Sequence, residues 1–126
     1  MILADTSVWI DHLRFGDSTL THLLGAGLVL GHPWVIGELA LGNLSQRHEI
    51  LGDLTALPTA TGASDHEVLE MIERHALHGR GIGYADAQLL ASTLLTPEAY
   101  LWTRDKRLAL AAADLGVEFD AGRIGG

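Results

Sequence analysis

Four acidic residues stand at pointed positions in the chain, and their carboxylates are expected to converge. Asp5 ends the apolar run Ile2-Leu3-Ala4, and Glu38 is the only charge between Pro33 and Gln46. Asp86 lies at the start of an expected helix, and Asp105 follows the apolar stretch Ala99-Tyr100-Leu101-Trp102 by way of Thr103-Arg104. Carboxylate oxygens are hard donors suited to Mg2+ or Mn2+; Mg2+ takes few of them, keeps several waters and leaves room for a substrate phosphate. Two such ions about 3.5–4 Å apart activate a water and stabilise the leaving oxygen of a phosphodiester. Metal-assisted phosphodiester hydrolysis is the chemistry these residues support if they converge.

Each residue also has a plainer role. Asp, Ser and Thr are all common helix caps, so Thr6 or Ser7 is expected to cap the first helix and leave Asp5 free at the strand end. Glu38 reads most plainly as one solvated charge on an otherwise apolar helix; buried, it is costly unless paired or bound to a cation. Asp86 gains about 0.3–1 kcal/mol from the dipole of its helix, an adequate structural reason by itself. The glycines of Gly81-Ile82-Gly83 just before it allow close backbone approach. Asp105, taken singly, reads as the cap of a helix beginning at Lys106, with Thr103 sharing that task or hydrogen-bonding a ligand from behind. The set is stronger than its members, because four crowded carboxylates without a cation raise one another's pKa values.

The elements that must position them alternate. Strands are expected at 2–5, 28–30, weakly at 58–61, at 99–102 and at 117–119. Helices are expected from Val8 to about Arg14, Thr19 to Ala26, Pro33 to about Gly42, Gln46 to Ala56, about Asp65 to His78, Tyr84 to Leu95 and Lys106 to Leu115. Pro33 suits a first helical position. Ser64 and Glu67 form a capping box, and Glu70 with Arg74 makes a favourable i,i+4 pair. This order predicts an α/β fold: a three-layer α/β/α sandwich around a central, mainly parallel sheet. Sites in such sheets form beyond the carboxyl ends of the strands, where Asp5 and Asp105 fall. The whole chain, 1–126, reads as one domain, with 121–126 a glycine-rich tail expected to fray.

Composition narrows the function classes. At 126 residues, 48% hydrophobic and with mean hydropathy +0.22, the chain can bury a core. No apolar run approaches the roughly 20 residues of a membrane span, and no signal peptide is evident, so a cytoplasmic protein is expected. The absence of cysteine excludes disulfides and thiolate metal sites. The seven histidines include His75 and His78 at i,i+3, without the third ligand that zinc needs. Net charge is −8, from 8 Lys+Arg against 16 Asp+Glu, which argues against a broad basic nucleic-acid surface. A bound divalent cation reverses the local field, and Arg104, Lys106 and Arg107 cluster around Asp105.

The chain resembles a PIN-domain ribonuclease, specifically a VapC-type toxin of a toxin–antitoxin pair. The resemblance spans nearly the whole chain and rests on Leu3-Ala4-Asp5-Thr6-Ser7-Val8-Trp9-Ile10-Asp11, Ile36-Gly37-Glu38-Leu39, Gly83-Tyr84-Ala85-Asp86-Ala87 and Trp102-Thr103-Arg104-Asp105. It implies a PIN-like sandwich and an endoribonuclease dependent on Mg2+ or Mn2+ that acts on structured RNA such as tRNA or rRNA. It also implies a homodimer and inhibition by a VapB-type antitoxin. By motif match, Asp5, Glu38, Asp86 and Asp105 take the acidic, metal-binding and catalytic roles. Thr6 and Ser7 match the small polar pair after the first aspartate, and Ser7 is expected to hold the ligand shell. The acid-rich surface departs from a basic RNA groove.

Competing functions fit less well. A DNA nuclease or flap processor of similar fold would need extra length and basic charge. A catalytically inactive PIN-like RNA-binding or regulatory module would have lost an acidic position, and all four are acidic. A phosphoacceptor receiver domain would need paired acids at the first strand and a late lysine. Trp9 and Trp34 are candidates for a dimer or antitoxin surface, or for the core.

Overall fold

The computed structural model describes residues 1–124. Its centre is a parallel three-stranded sheet in the order β2-β1-β3, built from β1 (Ile2–Ala4), β2 (Val29–Leu30) and β3 (Tyr100–Trp102). Ile2 pairs with Val29 on one side and Tyr100 on the other; Ala4 pairs with Trp102. Every residue of β1 is buried, as befits the middle of a parallel sheet covered on both faces. Single parallel bridges, Gly31 to Thr59 and Leu101 to Glu118, extend the sheet at each edge. They occupy the places of the two short strands expected at 58–61 and 117–119.

The helices are α1 (Thr6–Phe15), α2 (Ser18–Gly25), α3 (Pro33–Ala40), α4 (Arg47–Thr55), α5 (Asp65–Arg74), α6 (Tyr84–Leu95), α7 (Lys106–Asp114) and the short α8 (Ala121–Ile124). Helix α8 falls within the expected tail, whose last two residues, 125–126, lie outside the described residues. Parallel strands joined through helices that pack back on the sheet give the expected α/β/α sandwich. Helices α1 and α6 contact the central strands, and α3 touches α1, α4 and α6. One continuous apolar core joins Leu3, Leu30, Leu101, Val8, Leu90 and Leu108, each such side chain contributing roughly 1.5–3 kcal/mol by leaving water. Trp9 belongs to this core, whereas Trp34 stays exposed.

Two helix ends differ from expectation. The cap of α1 is Asp5 itself, whose carboxylate accepts from Val8 N–H, while Thr6 and Ser7 are the first helical residues. Helix α5 stops at Arg74, not His78, because Ala76 turns into the left-handed region at φ 51° and Leu77 then buries itself in the core. The capping box of Ser64 and Glu67 is present, and the Ser64 N–H and hydroxyl hold the Glu67 carboxyl below its usual range.

Candidate active site

The middle strand delivers Asp5 into the interior, where it is 4% exposed. Its Oδ1 accepts from Val8 N–H at 3.2 Å and from the Ser7 hydroxyl at 2.6 Å, and its Oδ2 accepts from the Thr103 hydroxyl. All three donors are neutral, so a buried carboxylate is held in one orientation without a cation on it. A carboxylate has about four lone-pair sites, so acceptor capacity remains on Oδ2.

Thr103 joins two of the acids. Its hydroxyl donates to Asp5 and its oxygen accepts the Asp105 N–H at 3.0 Å. Ser7 is tied in the same way, its oxygen accepting the Arg104 N–H at 3.0 Å. The β3–α7 turn is thereby fastened to the start of α1. Asp105 caps α7 through Oδ1, which accepts from Arg107 N–H at 2.8 Å and Leu108 N–H at 3.2 Å. Its structural role, the simplest one legible in sequence, is real and uses one oxygen, leaving Oδ2 unused by the cap.

Glu38 is exposed rather than buried, so the cost of burying it does not arise. It lies in the last turn of α3, where a negative charge is unfavourable by roughly 0.3–1 kcal/mol. Thr6, across on α1, donates to its Oε1 at 3.1 Å. The carbonyls of Ala40 and Gly42 at this helix end accept from Arg47, which makes no bond to Glu38.

Asp86 ties the set together electrostatically. It is partly buried at the first turn of α6, and its pKa is pushed up to about 6 by burial, then by the charges of Asp5, Asp105 and Glu38. The dipole of α6 favours its charge, yet burial and three like charges outweigh that benefit. The structure thus brings all four sequence-predicted acids within electrostatic reach, carried by β1, α3, α6 and the β3–α7 turn. Among the described residues, no three His, Asp or Glu side chains form a ready-made cage for an ion. The arrangement is open: carboxylates near enough to repel, each but Asp86 steadied by a hydroxyl or amide.

That donor set fits a hard divalent cation. It is all oxygen, as Mg2+ and Mn2+ prefer. An open set also suits Mg2+, which keeps part of its water shell and takes one or two carboxylates directly.

Around the acids lie groups whose roles differ from, or were not part of, the sequence reading. Arg104 donates to Asp11 at 3.2 Å and to Asp17 at 2.9 Å, and stacks over Trp102 at 5.3 Å. It therefore clamps α1 and the start of α2, and is not part of a free basic cluster. Burial pushes the Asp17 carboxyl up, but hydrogen bonds from Leu20 N–H and Arg104 and the charge of Arg104 bring it below its usual value. His32 is buried as the cap of α3: Nδ1 accepts from Trp34 N–H at 3.1 Å and Nε2 meets Ser92 Oγ at 2.8 Å. An accepting Nδ1 places the proton on Nε2, and burial holds the ring below its usual pKa. The signal for His32 was its place before Pro33; for Arg104 there was none, its partners being 93 and 87 positions away.

No family model matches the chain. Two curated proteins from Mycobacterium tuberculosis, of strains CDC 1551 / Oshkosh and ATCC 25618 / H37Rv, are each 50% identical to it over 117 residues. The match covers 93% of this chain and 94% of each relative, and both bear the name Ribonuclease VapC32. Fold and site define a PIN-like α/β protein with an acidic centre at the carboxyl edge of its sheet. The chain belongs to the VapC family.

Proposed function

We propose that the protein is the endoribonuclease toxin of a toxin–antitoxin pair and hydrolyses phosphodiester bonds in structured RNA such as tRNA or rRNA. The observation that carries this reading is the nearness of Asp5, Asp105 and Glu38 to half-buried Asp86, close enough for their charges to add to burial in raising its pKa. Four acids drawn from distant parts of the chain press on one another at one sheet edge, at a cost that a divalent cation removes. The kinship with proteins named Ribonuclease VapC32 supports the substrate class.

Asp5, Glu38, Asp86 and Asp105 would hold Mg2+ or Mn2+. Such an ion, when bound, supplies charge neutralisation at the scissile phosphate and lowers the pKa of water for attack. The protein's part is orientation. Ser7, Val8 N–H and Thr103 fix the plane of the Asp5 carboxylate. Thr6 steers Glu38, and the α7 cap fixes Asp105. Asp86 has no such donor, and near neutral pH it carries a proton part of the time, which cation binding would displace. Its freedom lets it adapt to the ion.

The same reading includes a VapB-type antitoxin as inhibitor, a homodimer as the assembly, and the cytoplasm as the compartment. No helix among the described residues is long and apolar enough to cross a membrane. The test is incubation of the purified protein with total RNA in Mn2+, in Mg2+ or in excess chelator. Discrete internal cuts in either metal and none in chelator are expected. RNA left intact in both metals, by a folded protein freed of any inhibitor, would overturn the reading. An inactive RNA-binding module is the alternative, and it would retain RNA in a gel shift without cutting it.

A further inference from the structure

An acidic protein that acts on RNA must still hold phosphates, and the ion pairs indicate which cations are free to do so. Arg74 pairs with Glu70 at 3.0 Å, Arg80 with Asp114 at 2.9 Å, and Arg104 with both Asp11 and Asp17. Arg47 is occupied by the carbonyls of Ala40 and Gly42. Among the described lysine and arginine side chains, Arg14, Lys106 and Arg107 alone have no acidic or carbonyl partner, although acids outnumber bases twofold. All three flank the carboxylates. Arg14 lines, with Glu38, a cavity of about 420 Å3. Lys106 and Arg107 follow Asp105 directly.

Arg107 is also seated. Gly81 has φ +77°, and a Cβ there would stand 2.8 Å from Arg107 Nη1 and 2.9 Å from its Cδ. The arginine side chain therefore lies on bare backbone of the loop that leads into α6 and Asp86. Only glycine permits both that φ and that approach. A guanidinium supported along its stem, exposed and without a carboxylate, keeps its fork of donors for an outside anion, and phosphate matches that geometry.

We propose that Arg107 and Arg14 grip RNA phosphates on opposite flanks of the acidic centre, with Lys106 adding charge beside Arg107. The proposal rests on the RNA-cleaving reading above. These contacts position the strand and read no bases. They explain how a chain of net charge −8 binds a polyanion: among the described side chains the few free cations stand at the site, and the others are spent on internal acids or, for Arg47, on backbone carbonyls.

The test uses the full-length protein carrying Asp86→Asn, which keeps RNA whole, and a fluorescent tRNA mixture titrated across a salt series with Mg2+ present. Arg107→Gln and Arg14→Gln should each weaken binding roughly three- to tenfold at low salt and make the log–log salt slope shallower by about 0.7–1. Arg107→Lys should restore the slope, and Arg74→Gln should leave both quantities unchanged. Melting curves check that each variant is folded. Wild-type affinity and slope in both Arg107→Gln and Arg14→Gln would overturn the proposal. If the otherwise unaltered enzyme still cuts RNA in that event, the nuclease reading survives and only the phosphate grip fails. A protein that neither binds nor cuts RNA overturns both.

Discussion

The Thr103 hydroxyl donates to Asp5 Oδ2 across 98 positions of chain. This bond, with the Asp105 N–H returning to the same oxygen, joins the first and last acids of the site. Thr103→Val removes donor and acceptor together while keeping shape. RNA cleavage should fall roughly 10–100-fold, the usual cost of losing a group that orients a metal ligand. Stability should fall by about 1–3 kcal/mol, since Asp105 N–H and Asp5 each lose a partner. Thr103→Ser should restore most of both. The measurements are kcat and KM on one RNA and urea unfolding; a Val variant with wild-type kcat would remove Thr103 from the site.

Asp86 ties stability to pH in a definite direction. Burial and the charges of Asp5, Asp105 and Glu38 push its carboxyl up to about 6 from the ordinary 3.8, so the native state binds the proton more tightly than the unfolded chain. That stabilisation is complete below about pH 3.8 and is lost progressively as pH rises to 6, above which the full cost of the charge remains. In chelator, Asp86→Asn should therefore melt higher than the parent at pH 8, with the difference shrinking as pH falls below 6. Divalent cation should raise the parent's melting temperature at pH 8 and do much less for the variant. Equal melting of the two proteins at pH 8 would contradict the crowding of charge at Asp86.

His32 should act in the opposite sense. Its folded pKa lies below the ordinary 6.5 because of burial, and a proton on Nδ1 would confront Trp34 N–H. The stability it contributes is complete above about pH 6.5 and is lost as pH falls toward the lowered folded value. His32→Asn keeps a capping side chain and removes the titration. Unfolding free energies in the Asp86→Asn background isolate the effect, and the parent should lose more stability than His32→Asn between pH 7.5 and 5. Parallel profiles would show that His32 does not titrate in this range.

Glu38 offers a trade between stability and activity. Its charge sits in the last turn of α3, against the helix dipole. Glu38→Gln keeps an oxygen for Thr6 and removes the charge. It should raise stability by roughly 0.3–1 kcal/mol in chelator and weaken cation-dependent cleavage at least tenfold. A variant that loses stability and keeps full activity would identify Glu38 as a structural residue.

Much of this arrangement was legible in the sequence, and the exceptions have physical causes. Helix α6 has the expected bounds because apolar spacing, a preceding glycine and the turn at Thr96-Pro97 all agree. The acids at the ends of β1 and β3 were readable because a parallel sheet opens its sites there. Thr6, Ser7 and Thr103, expected as supports, each donate to one of the four acids. The capping assignment failed at Asp5, where three adjacent residues can all cap; Asp5 Oδ1 takes Val8 N–H while Oδ2 is held by Thr103. The apolar neighbours of Glu38 in sequence left open whether it is solvated or buried; its own face of α3 is open, and Val35 and Leu39 carry the burial. The clamp of Arg104 was invisible, since a lone arginine carries no local sign of the two aspartates it will meet. The strands expected weakly at 58–61 and at 117–119 shrink to single bridges, being short and having one neighbour each.

Direct titration of the chelator-stripped protein with Mn2+ by calorimetry at pH 7.5, with Asp86→Asn alongside, bears most immediately on the convergence of the four acids. Saturable binding to the parent is expected, with proton release that grows as pH is lowered toward 6 and with at least tenfold weaker binding by the variant. No saturable heat with the folded parent, or equal affinity in the two proteins, would contradict a divalent-cation site built from Asp5, Glu38, Asp86 and Asp105.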